Sequence, residues 1–514
     1  MALSRQSTAS AAARRAIFLV PLALALALRA HQALATPDVL DWDETYYLST
    51  AVTAAAGHGL YPYVLGYGPM PIAGGLGYVA YVYALAVRLL GPSIYSLRLM
   101  SLLASVLALA GVWRLVKIWY GSGAAWIATA IAASTSLFLL SNTVRMDGWT
   151  LACVAWALVV FAWAMERWDR RAGHVLAGLA FGACLQVHPD VTATALACGF
   201  VSLVFWIGDA LRARRFVPPV QPLLFLAGWS LGLLAFVASN VLPDPETFYR
   251  TTMLVRVDAT SWYSPGTSSP IGSFLDPRIL IGKESARYDL LASVVAVLEA
   301  VLFGAAMIAA LVRRNAADRV VLLLVPAVFA GTAVVLNNAS PLYFIHVAPA
   351  LLVPLGPLFS HGFTGRAPVT TAHLRGGSLV GFAIAIAALS AVNDGPLLRA
   401  VTAKPPDDAA ARAVAERVRA VAQPRCKIAG DAGLYVRYFA DYPYFVSARP
   451  TEVHYGMLYF GSTSEADYWA IKRPDVVFGS GPLPAALAGY VSSNGLSERA
   501  PQVWVRRDGC AGGP

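Results

Sequence analysis

Residues 99–140 read LMSLLASVLALAGVWRLVKIWYGSGAAWIATAIAASTSLFLL. The stretch holds two apolar runs, 99–119 and 124–140, with a short Gly-Ser-Gly sequence between them. Each run is long enough, as an α-helix, to cross a hydrocarbon core of roughly 30 Å. The stretch therefore predicts two membrane-spanning helices joined by a tight turn.

The rest of the chain repeats this pattern. Further apolar runs cover residues 16–28, 149–165, 175–187, 191–207, 223–242, 290–312, 320–336, 342–359 and 378–392. Of the 514 residues 57% are hydrophobic and 13% are charged, whereas about 25% are charged in an average soluble protein. So few charges exclude a soluble enzyme, a disordered chain and a coiled coil. The sequence predicts an α-helical polytopic membrane protein with about 11 spans, of which 175–187 is the most marginal.

Arginines between the runs predict the side on which each loop lies. Residues 70–90 are apolar but rich in Gly, Pro and Tyr, and we place them in the outer interface, with Tyr78, Tyr81 and Tyr83 at headgroup level. The cytoplasmic loops then carry Arg167, Arg170, Arg171, Arg212, Arg214, Arg215, Arg313, Arg314, Arg319, Arg366 and Arg375. If residues 70–90 crossed instead, these arginines would all face outward, against the positive-inside rule. The N-terminus is therefore predicted inside and the C-terminus outside.

Two further features of the sequence bear on this topology. Ala33-Leu34-Ala35 also fits the end of a cleavable signal peptide, and either interpretation starts the next segment outside. The net charge of +10 is explained by arginines that anchor helix ends, so no nucleic-acid partner is expected. These arginine loops are short and are interpreted as plain anchors.

The C-terminal part has the composition of a soluble domain. We divide the chain into a transmembrane domain, residues 1–394, and a small extracytoplasmic α/β domain, residues 395–514. A helix is predicted over 409–422, and short strands over 426–429, 475–478 and 503–505. Cys426 and Cys510 would form a disulfide if this domain faces an oxidising compartment.

The strongest local signal is Asp41-Trp42-Asp43-Glu44-Thr45-Tyr46-Tyr47, just after the first run. Three carboxylates within four residues at a membrane surface are electrostatically unfavourable unless a cation lies beside them. One interpretation is a catalytic base or a cation site. The alternative is a solvated helix N-terminus, with Asp43 and Glu44 complementing the helix dipole.

Other polar residues fall near the predicted outer ends of the spans. They are Arg98, Arg145, Asp147, His188, Asp190, Asn337, Asn338 and His346, together with the cations of the outer loop 243–288, namely Arg250, Arg256, Arg278, Lys283 and Arg287. Several have a structural alternative: Arg98 as an interfacial anchor, Asp147 as a helix cap, His188 and Asp190 in a turn with Asp190 as the cap, and the loop cations as solvated charges. Arg145 and Asp147 are two positions apart and would not share a face of one helix.

Two features lie inside predicted spans. Glu299 is a carboxylate at membrane depth, either functional or protonated and hydrogen-bonded to a neighbouring helix. Pro349, Pro354 and Pro357 predict a kink in the span 342–359.

The order of these motifs carries a resemblance. Asp43-Glu44 follows the first run, Ser96-Leu97-Arg98-Leu99 opens the second, and Arg145-Met146-Asp147 lies at the outer end of the third. Over about residues 16–206 this order resembles the GT-C glycosyltransferases of the protein O-mannosyltransferase and aminoarabinose transferase type. The resemblance implies a GT-C fold with interfacial helices in the first outer loop.

The resemblance also implies an activity. Such enzymes transfer a monosaccharide, with inversion, from a polyprenyl-phosphate donor to a glycan, lipid or protein acceptor at the outer membrane face. The matching position makes Asp43 the general base, and we expect Glu44 and Asp147 beside it. Donor-phosphate binding is expected from Arg98, Arg278, Lys283, Arg287 and His346. The substrate cleft is expected to include Asp41, Tyr46, Arg145, His188 and Asp190.

The cofactor and the cellular location are expectations of the same kind. Asp41-x-Asp43 would suit a divalent cation such as Mg²⁺ or Mn²⁺, but the resemblance favours chemistry without a metal. The expected location is a bacterial inner membrane, with lipids around the chain. A multispan transporter or lipid-linked-sugar flippase is the alternative, and a non-catalytic membrane scaffold is a third reading. A transporter should place polar groups near the midplane in repeated halves, whereas here they cluster at one predicted face.

Overall fold

A computed structural model describes residues 19–31, 33–35, 43–57, 77–135, 144–214, 218–243, 245–249, 290–336, 348–360, 381–389, 409–448, 453, 457, 464–479, 482–506 and 510. Helices dominate these ranges. In chain order they are α1 (19–31 and 33–35), α2 (Asp43–Ala55), α3 (Gly77–Leu90), α4 (Ile94–Ser134), α5 (Met146–Glu166), α6 (Arg171–Cys184), α7 (Val191–Ala213), α8 (Val220–Phe236), α9 (Pro245–Tyr249), α10 (Leu290–Arg313), α11 (Ala316–Leu336), α12 (Ala348–Leu352), α13 (Leu355–Ser360), α14 (381–389), α15 (Ala409–Val421), α16 (Ala432–Tyr438), α17 (Glu465–Lys472) and α18 (Ala485–Ser493). The strands are β1 (Ile428–Gly430), β2 (Phe445–Ser447), β3 (Val476–Phe478), β4 (Leu496–Ala500) and β5 (Val503–Arg506).

Helix α4 contains both of the apolar runs on which the sequence analysis began. It is interrupted at Gly121, where φ is 83° and ψ is 173°. Glycine has no Cβ and adopts this positive φ without a steric penalty, so the chain turns there between two helical segments. The predicted division into two runs at Gly-Ser-Gly is confirmed.

Apolar helices of membrane-spanning length account for part of the predicted topology. Within the described residues, four segments are long and apolar enough to cross a bilayer: Ile94–Ser134, Met146–Glu166, Val191–Ala213 and Val220–Val241. The predicted total of 11 spans is not confirmed by these segments, and several of the predicted runs lie partly outside the described ranges. The kink predicted from prolines is confirmed, because α12 ends at Leu352 and α13 begins at Leu355, around Pro354.

Helix α3 covers the C-terminal two thirds of the stretch that was placed in the outer interface. Its 14 residues extend about 21 Å, which is shorter than a hydrocarbon core of roughly 30 Å. Tyr81 is 57% exposed, as expected for headgroup level, but Tyr83 is fully buried. Two residues that are two positions apart on a helix are about 200° apart, so Tyr81 faces outward while Tyr83 faces its neighbouring helices. Whether the stretch lies on the outer side stays a prediction.

Helices α6 and α8 pack through glycines that approach each other closely. A Cβ built on Gly178 would come 2.0 Å from the carbonyl oxygen of Phe225, and one on Gly182 would come 2.7 Å from the Cα of Gly232. Gly178 and Gly182 are four residues apart, as are Gly228 and Gly232. This is the small-residue spacing that lets membrane helices bring their backbones together.

Replacing Gly182 by alanine is therefore expected to destabilise the α6–α8 pair. The added methyl group has no space and forces the helices apart, at a cost of about 1–3 kcal/mol in unfolding free energy. Gly208→Ala is the matched control, because a Cβ at Gly208 meets nothing within 4 Å. Denaturant unfolding in detergent should show a loss for Gly182→Ala and none for Gly208→Ala. Equal stability of both variants would contradict the close packing.

One loop that was predicted to be cytoplasmic takes part in a network of hydrogen bonds centred on Asp318. The Tyr120 hydroxyl donates to Asp318 Oδ1 at 2.7 Å, and Arg313 Nη2 donates to the same oxygen at 3.0 Å. The Asp318 backbone N–H donates to the Asn315 side-chain oxygen at 2.8 Å, which caps the start of α11. Asp318 is fully buried. Arg313 therefore has a structural role beside the predicted one of an anchor, because its guanidinium pairs with this carboxylate between α4, α10 and α11.

The C-terminal sheet has the strand order β2-β1-β3-β5-β4. Strands β2, β1 and β3 are parallel, and β5 is antiparallel to both β3 and β4. Successive residues of β3 face opposite ways: Val476 and Phe478 pack with α15 and α16, whereas Val477 packs with α17 and α18. The predicted helix over 409–422 and the three predicted strands are confirmed to within a few residues.

A disulfide closes this part of the chain. Cys426 and Cys510 are bonded, with their Cα atoms 5.1 Å apart. The pairing that sequence analysis made conditional on an oxidising compartment is present in the structure. The division at residues 394 and 395 lies outside the described residues and stays a prediction.

Candidate functional site

The centre of the candidate site is an ion pair between the second residue of α2 and the first turns of α4. Arg98 Nε donates to Glu44 Oε1 at 3.0 Å and Arg98 Nη2 donates to Glu44 Oε2 at 2.6 Å. Both side chains are completely buried. This parallel pair of hydrogen bonds matches the planar guanidinium to the planar carboxylate, the strongest geometry for such a pair. Arg98 is thus the cation that the acidic motif required, and it is not an exposed anchor.

Local sequence places Arg98 where it meets Glu44. The Ser93 side chain accepts a hydrogen bond from the Tyr95 N–H at 3.2 Å and caps the start of α4. Arg98 follows in the second turn. Glu44 lies in the first turn of α2, where a carboxylate also complements the positive end of the helix.

A second ion pair lies beside the first, at the start of α5. Arg145 Nε donates to Asp147 Oδ2 at 2.6 Å, and both residues are buried. These residues pair although they are two positions apart, because Arg145 precedes the helix with an extended backbone, φ −145° and ψ 165°, and the argument from helical faces does not apply to it. Asp147 is a first-turn residue of α5, not its N-cap.

Backbone and tyrosine hydrogen bonds join the two ion pairs. The Val144 N–H donates to Glu44 Oε1 at 3.4 Å, and the Tyr83 hydroxyl donates to the Arg145 carbonyl oxygen at 3.0 Å. Tyr83 also shares a 3.0 Å hydrogen bond with Ser101 of α4. The two pairs and Tyr83 form one buried unit, which we call the acid–base cluster: Glu44, Tyr83, Arg98, Arg145 and Asp147.

Tyr47 holds α2 against the start of α5. Its hydroxyl accepts a hydrogen bond from the Met146 N–H at 3.1 Å, and its ring meets that of Tyr83 edge-on with centroids 5.6 Å apart. A backbone N–H in the first turn of a helix has no partner within that helix, so the Tyr47 hydroxyl satisfies one of them. Tyr46, predicted in the cleft, is half-buried, with its ring centroid 5.5 Å from that of Tyr47.

His188 and Asp190 lie in the turn between α6 and α7. His188 Nδ1 accepts a hydrogen bond from the Asp190 N–H at 3.2 Å and lies 3.5 Å from Asp190 Oδ2. Asp190 occupies the N-cap position of α7 but makes no capping side-chain hydrogen bond there. The neighbouring Val187 packs against the apolar cluster to which Tyr47 belongs and against which Met146 and Trp149 also pack.

Several predicted site residues are outside the described parts of the chain. Asp41, Arg278, Lys283, Arg287 and His346 lie outside the described residues, and Asp43 is described only as the first residue of α2. Their roles, including metal binding at Asp41 and Asp43, stay predictions. Within the described residues, no group of three or more His, Cys, Asp or Glu side chains is arranged to hold a metal ion.

Sequence reasoning missed three residues. The links made by Tyr47 and Tyr83 depend on contacts between elements that are far apart in sequence, and only the density of tyrosines in both segments hinted at them. Arg29 of α1 is 1% exposed and donates to the Ala25 carbonyl oxygen at 2.9 Å. Arginine is rarely fully buried unless its guanidinium is paired, so the deep burial of Arg29 could not be expected from its place at the end of an apolar run.

Comparisons with known proteins agree with this architecture. Residues 78–239 match the family model described as dolichyl-phosphate-mannose-protein mannosyltransferase. The fold is similar to that of ArnT from Cupriavidus metallidurans bound to undecaprenyl phosphate, with a TM-score of 0.60, 13% identity, and coverage of 95% of this chain and 97% of that one. It is also similar to the oligosaccharyltransferase AglB from Archaeoglobus fulgidus in complex with an inhibitory peptide and a dolichol-phosphate, with a TM-score of 0.50, 14% identity, and coverage of 90% and 69%. A comparison with curated protein sequences found no match.

The predicted resemblance to the GT-C superfamily is confirmed by this family model and by the shared fold.

Proposed function

We propose that this chain, whose fold is that of the GT-C glycosyltransferases, transfers a monosaccharide from a polyprenyl-phosphate-linked donor to a glycan, lipid or protein acceptor. The transfer would take place at the outer face of a bacterial inner membrane and invert the anomeric configuration. Asp43 is the general base of this reaction. A lipid-linked donor is supported by the undecaprenyl phosphate bound to ArnT and the dolichol-phosphate bound to AglB.

One observation carries the assignment of the base. Both oxygens of Glu44 accept hydrogen bonds from Arg98, and one accepts a further bond from the Val144 N–H. A carboxylate held in this way stabilises α2 and is poorly placed to receive a proton from an acceptor. The preceding residue, Asp43, is at the very start of the same helix and is the better candidate.

The chemistry needs a base but no acid. An acceptor hydroxyl must lose its proton as it attacks the anomeric carbon, and a positioned carboxylate takes it. The transition state resembles an oxocarbenium ion, which a nearby anion also stabilises. The leaving group is a lipid phosphate that is already ionised, so it needs cationic donors and no proton.

Positively charged side chains of the predicted outer side are the candidates for binding this phosphate. Arg98 is engaged by Glu44, and we propose that it supports the site through that pair as well as through its charge. Direct contacts are assigned to Arg278, Lys283 and Arg287 of the predicted outer loop, with His346. Arg145 and Asp147 border the cleft next to the turn that holds His188 and Asp190.

Release of polyprenyl phosphate tests this function. The purified protein, in nanodiscs, is given a panel of undecaprenyl-phosphate monosaccharides and a mixed glycan, lipid and peptide acceptor pool. We expect release of undecaprenyl phosphate that requires both donor and acceptor. The same protein should show a higher unfolding temperature with undecaprenyl phosphate than with undecaprenol, since a ligand that binds the folded state stabilises it. Transbilayer movement of the donor without release of its phosphate would instead support the flippase alternative.

A further inference from the structure

Helix α2 is enclosed on nearly all sides. From Glu44 to Ala54 every residue is buried except the half-buried Tyr46. Helices α3 and α4 cover part of this surface, and α16 of the C-terminal domain also packs on α2. The helix with the acidic motif therefore lies between the membrane helices and the C-terminal domain.

Two hydroxyl groups of α2 converge on one carbonyl of the C-terminal domain. Ser49 Oγ donates to the Pro443 carbonyl oxygen at 3.1 Å, and Thr53 Oγ1 donates to the same oxygen at 2.9 Å. The two residues are four positions apart and share one helix face. A helical serine or threonine ordinarily bonds within its own helix, as Thr50 does to the Tyr46 carbonyl at 2.9 Å. Thr53 Oγ1 also lies 2.8 Å from the Ser49 carbonyl oxygen, so its hydroxyl proton is shared between that oxygen and the one of Pro443. The contact to Pro443 is what Ser49 and Thr53 have in common, and it is the contact that crosses the interface.

The Pro443 carbonyl is held rigidly by its own domain. The preceding Tyr442 donates from its hydroxyl to the Ala422 carbonyl at 2.8 Å, and Tyr435 donates to the Tyr442 carbonyl at 3.2 Å. The rings of Tyr435 and Phe445 stack with centroids 4.0 Å apart. Burial raises the pKa of Tyr435, which keeps its hydroxyl protonated as a donor. A carbonyl fixed in this way is a firm attachment point for a helix.

The hydrophobic core is continuous across the same interface. Tyr47, Leu48 and Val52 of α2 belong to one buried cluster with Leu434 and Tyr435 of α16. A contact that buries apolar side chains from both parts, and not only polar surface, resembles the interior of one domain. Motion of the C-terminal domain is thereby coupled to α2.

We propose that Ser49 and Thr53 are positioning residues through which the C-terminal domain fixes the rotation and height of α2, and with it the start of that helix at Asp43. The inference rests on the proposed function, since it assigns to these residues the placement of the proposed base. The other end of the helix is held by the Glu44–Arg98 pair and by Tyr47, so Ser49 and Thr53 complete a clamp at both ends. Neither hydroxyl is placed to touch substrate in this assignment.

The test compares hydroxyl-deleted variants of α2. The double variant Ser49→Ala, Thr53→Val loses both bonds to Pro443 and also the bond within the helix from Thr53 to the Ser49 carbonyl. Thr50→Val loses only a bond of that second kind, so it is the matched control. We expect turnover of the double variant to fall about 10- to 100-fold, because misplacement by 1 Å has effects of this size. Its affinity for undecaprenyl phosphate should not change. The single variant Thr53→Ser, which keeps the hydroxyl and leaves Ser49 unchanged, should retain near-normal turnover.

A second measurement keeps this test independent of the transfer assay. Amide hydrogen exchange of α2 should be faster in the double variant than in Thr50→Val, with unchanged exchange in β1 and β3. Wild-type-like turnover and exchange in the double variant would overturn the clamp. An equal loss of turnover in Thr50→Val would also overturn it, since the effect would then come from helix stability alone. If the wild-type protein transfers no sugar, the proposed function fails, and hydrogen exchange alone decides whether the C-terminal domain fixes α2.

Discussion

Asp43→Asn is expected to lower the transfer rate at least about 100-fold, the range usually lost with a general base. Asparagine has nearly the same shape but cannot accept the acceptor's proton. Donor binding and folding should persist, because Asp43 is the first residue of α2 and the ion pair that anchors the helix belongs to Glu44. Single-turnover rates with saturating donor, together with undecaprenyl phosphate binding, separate loss of chemistry from loss of binding.

The matched control for this variant is Asp209→Asn. Asp209 is in the last turns of α7, where it pairs with Arg212 at 3.0 Å and keeps 42% of its side chain exposed. The same loss of charge there should leave transfer unchanged. Near-normal turnover in Asp43→Asn would remove Asp43 as the base, and Asp41 and Asp147 would be next to test.

Arg98→Met is expected to lower the free energy of unfolding by about 3–5 kcal/mol, since it leaves the buried Glu44 carboxylate without its partner. Methionine fills much of the space of the arginine stem, so most of the loss is electrostatic. Denaturant unfolding in detergent measures it. In the double variant with Glu44→Gln, no uncompensated charge remains, and much of the lost stability should return.

Arg212→Met provides the comparison for this effect. The Arg212–Asp209 pair has a similar length of 3.0 Å, but 73% of the Arg212 side chain is exposed. Exposed pairs contribute about 0–1 kcal/mol, because solvent screens them and both side chains lose freedom. If Arg98→Met were as mild as Arg212→Met, the Glu44–Arg98 pair would not be the anchor of α2.

The acidic motif shows how far sequence reasoning reached. Three carboxylates in four residues indicated that a cation lies beside them. Arg98 was predicted at the site, but as a ligand of the donor phosphate. The sequence alone could not pair Arg98 with Glu44, because 54 positions separate them and only the packing of α2 against α4 brings them together. For Arg145 and Asp147 the error was one of helix boundary. The helical-face argument applied only if both residues were helical, and Arg145 is not.

The tyrosines of residues 70–90 could not be told apart from composition alone. Residues 70–90 were placed in the interface as a set, but Tyr81 and Tyr83 face opposite ways on α3. The buried one links α3, α4 and the start of α5 through Ser101 and Arg145. A sequence indicates that aromatic residues are present at an interface, whereas burial of a particular ring depends on which neighbour covers that face.

The sequence by itself determined the features that depend on neighbouring residues: the apolar runs, the break at Gly121, the kink near Pro354, and the strands and helix of the C-terminal part. These follow from hydrophobic run length and from backbone preferences, both of which act within a few residues. Only the tertiary structure decided that Arg98 neutralises Glu44, that Tyr120 donates to the buried Asp318, and that Ser49 and Thr53 meet Pro443. Those contacts join residues tens to hundreds of positions apart, and their partners are selected by which helix faces pack together, which no local pattern encodes.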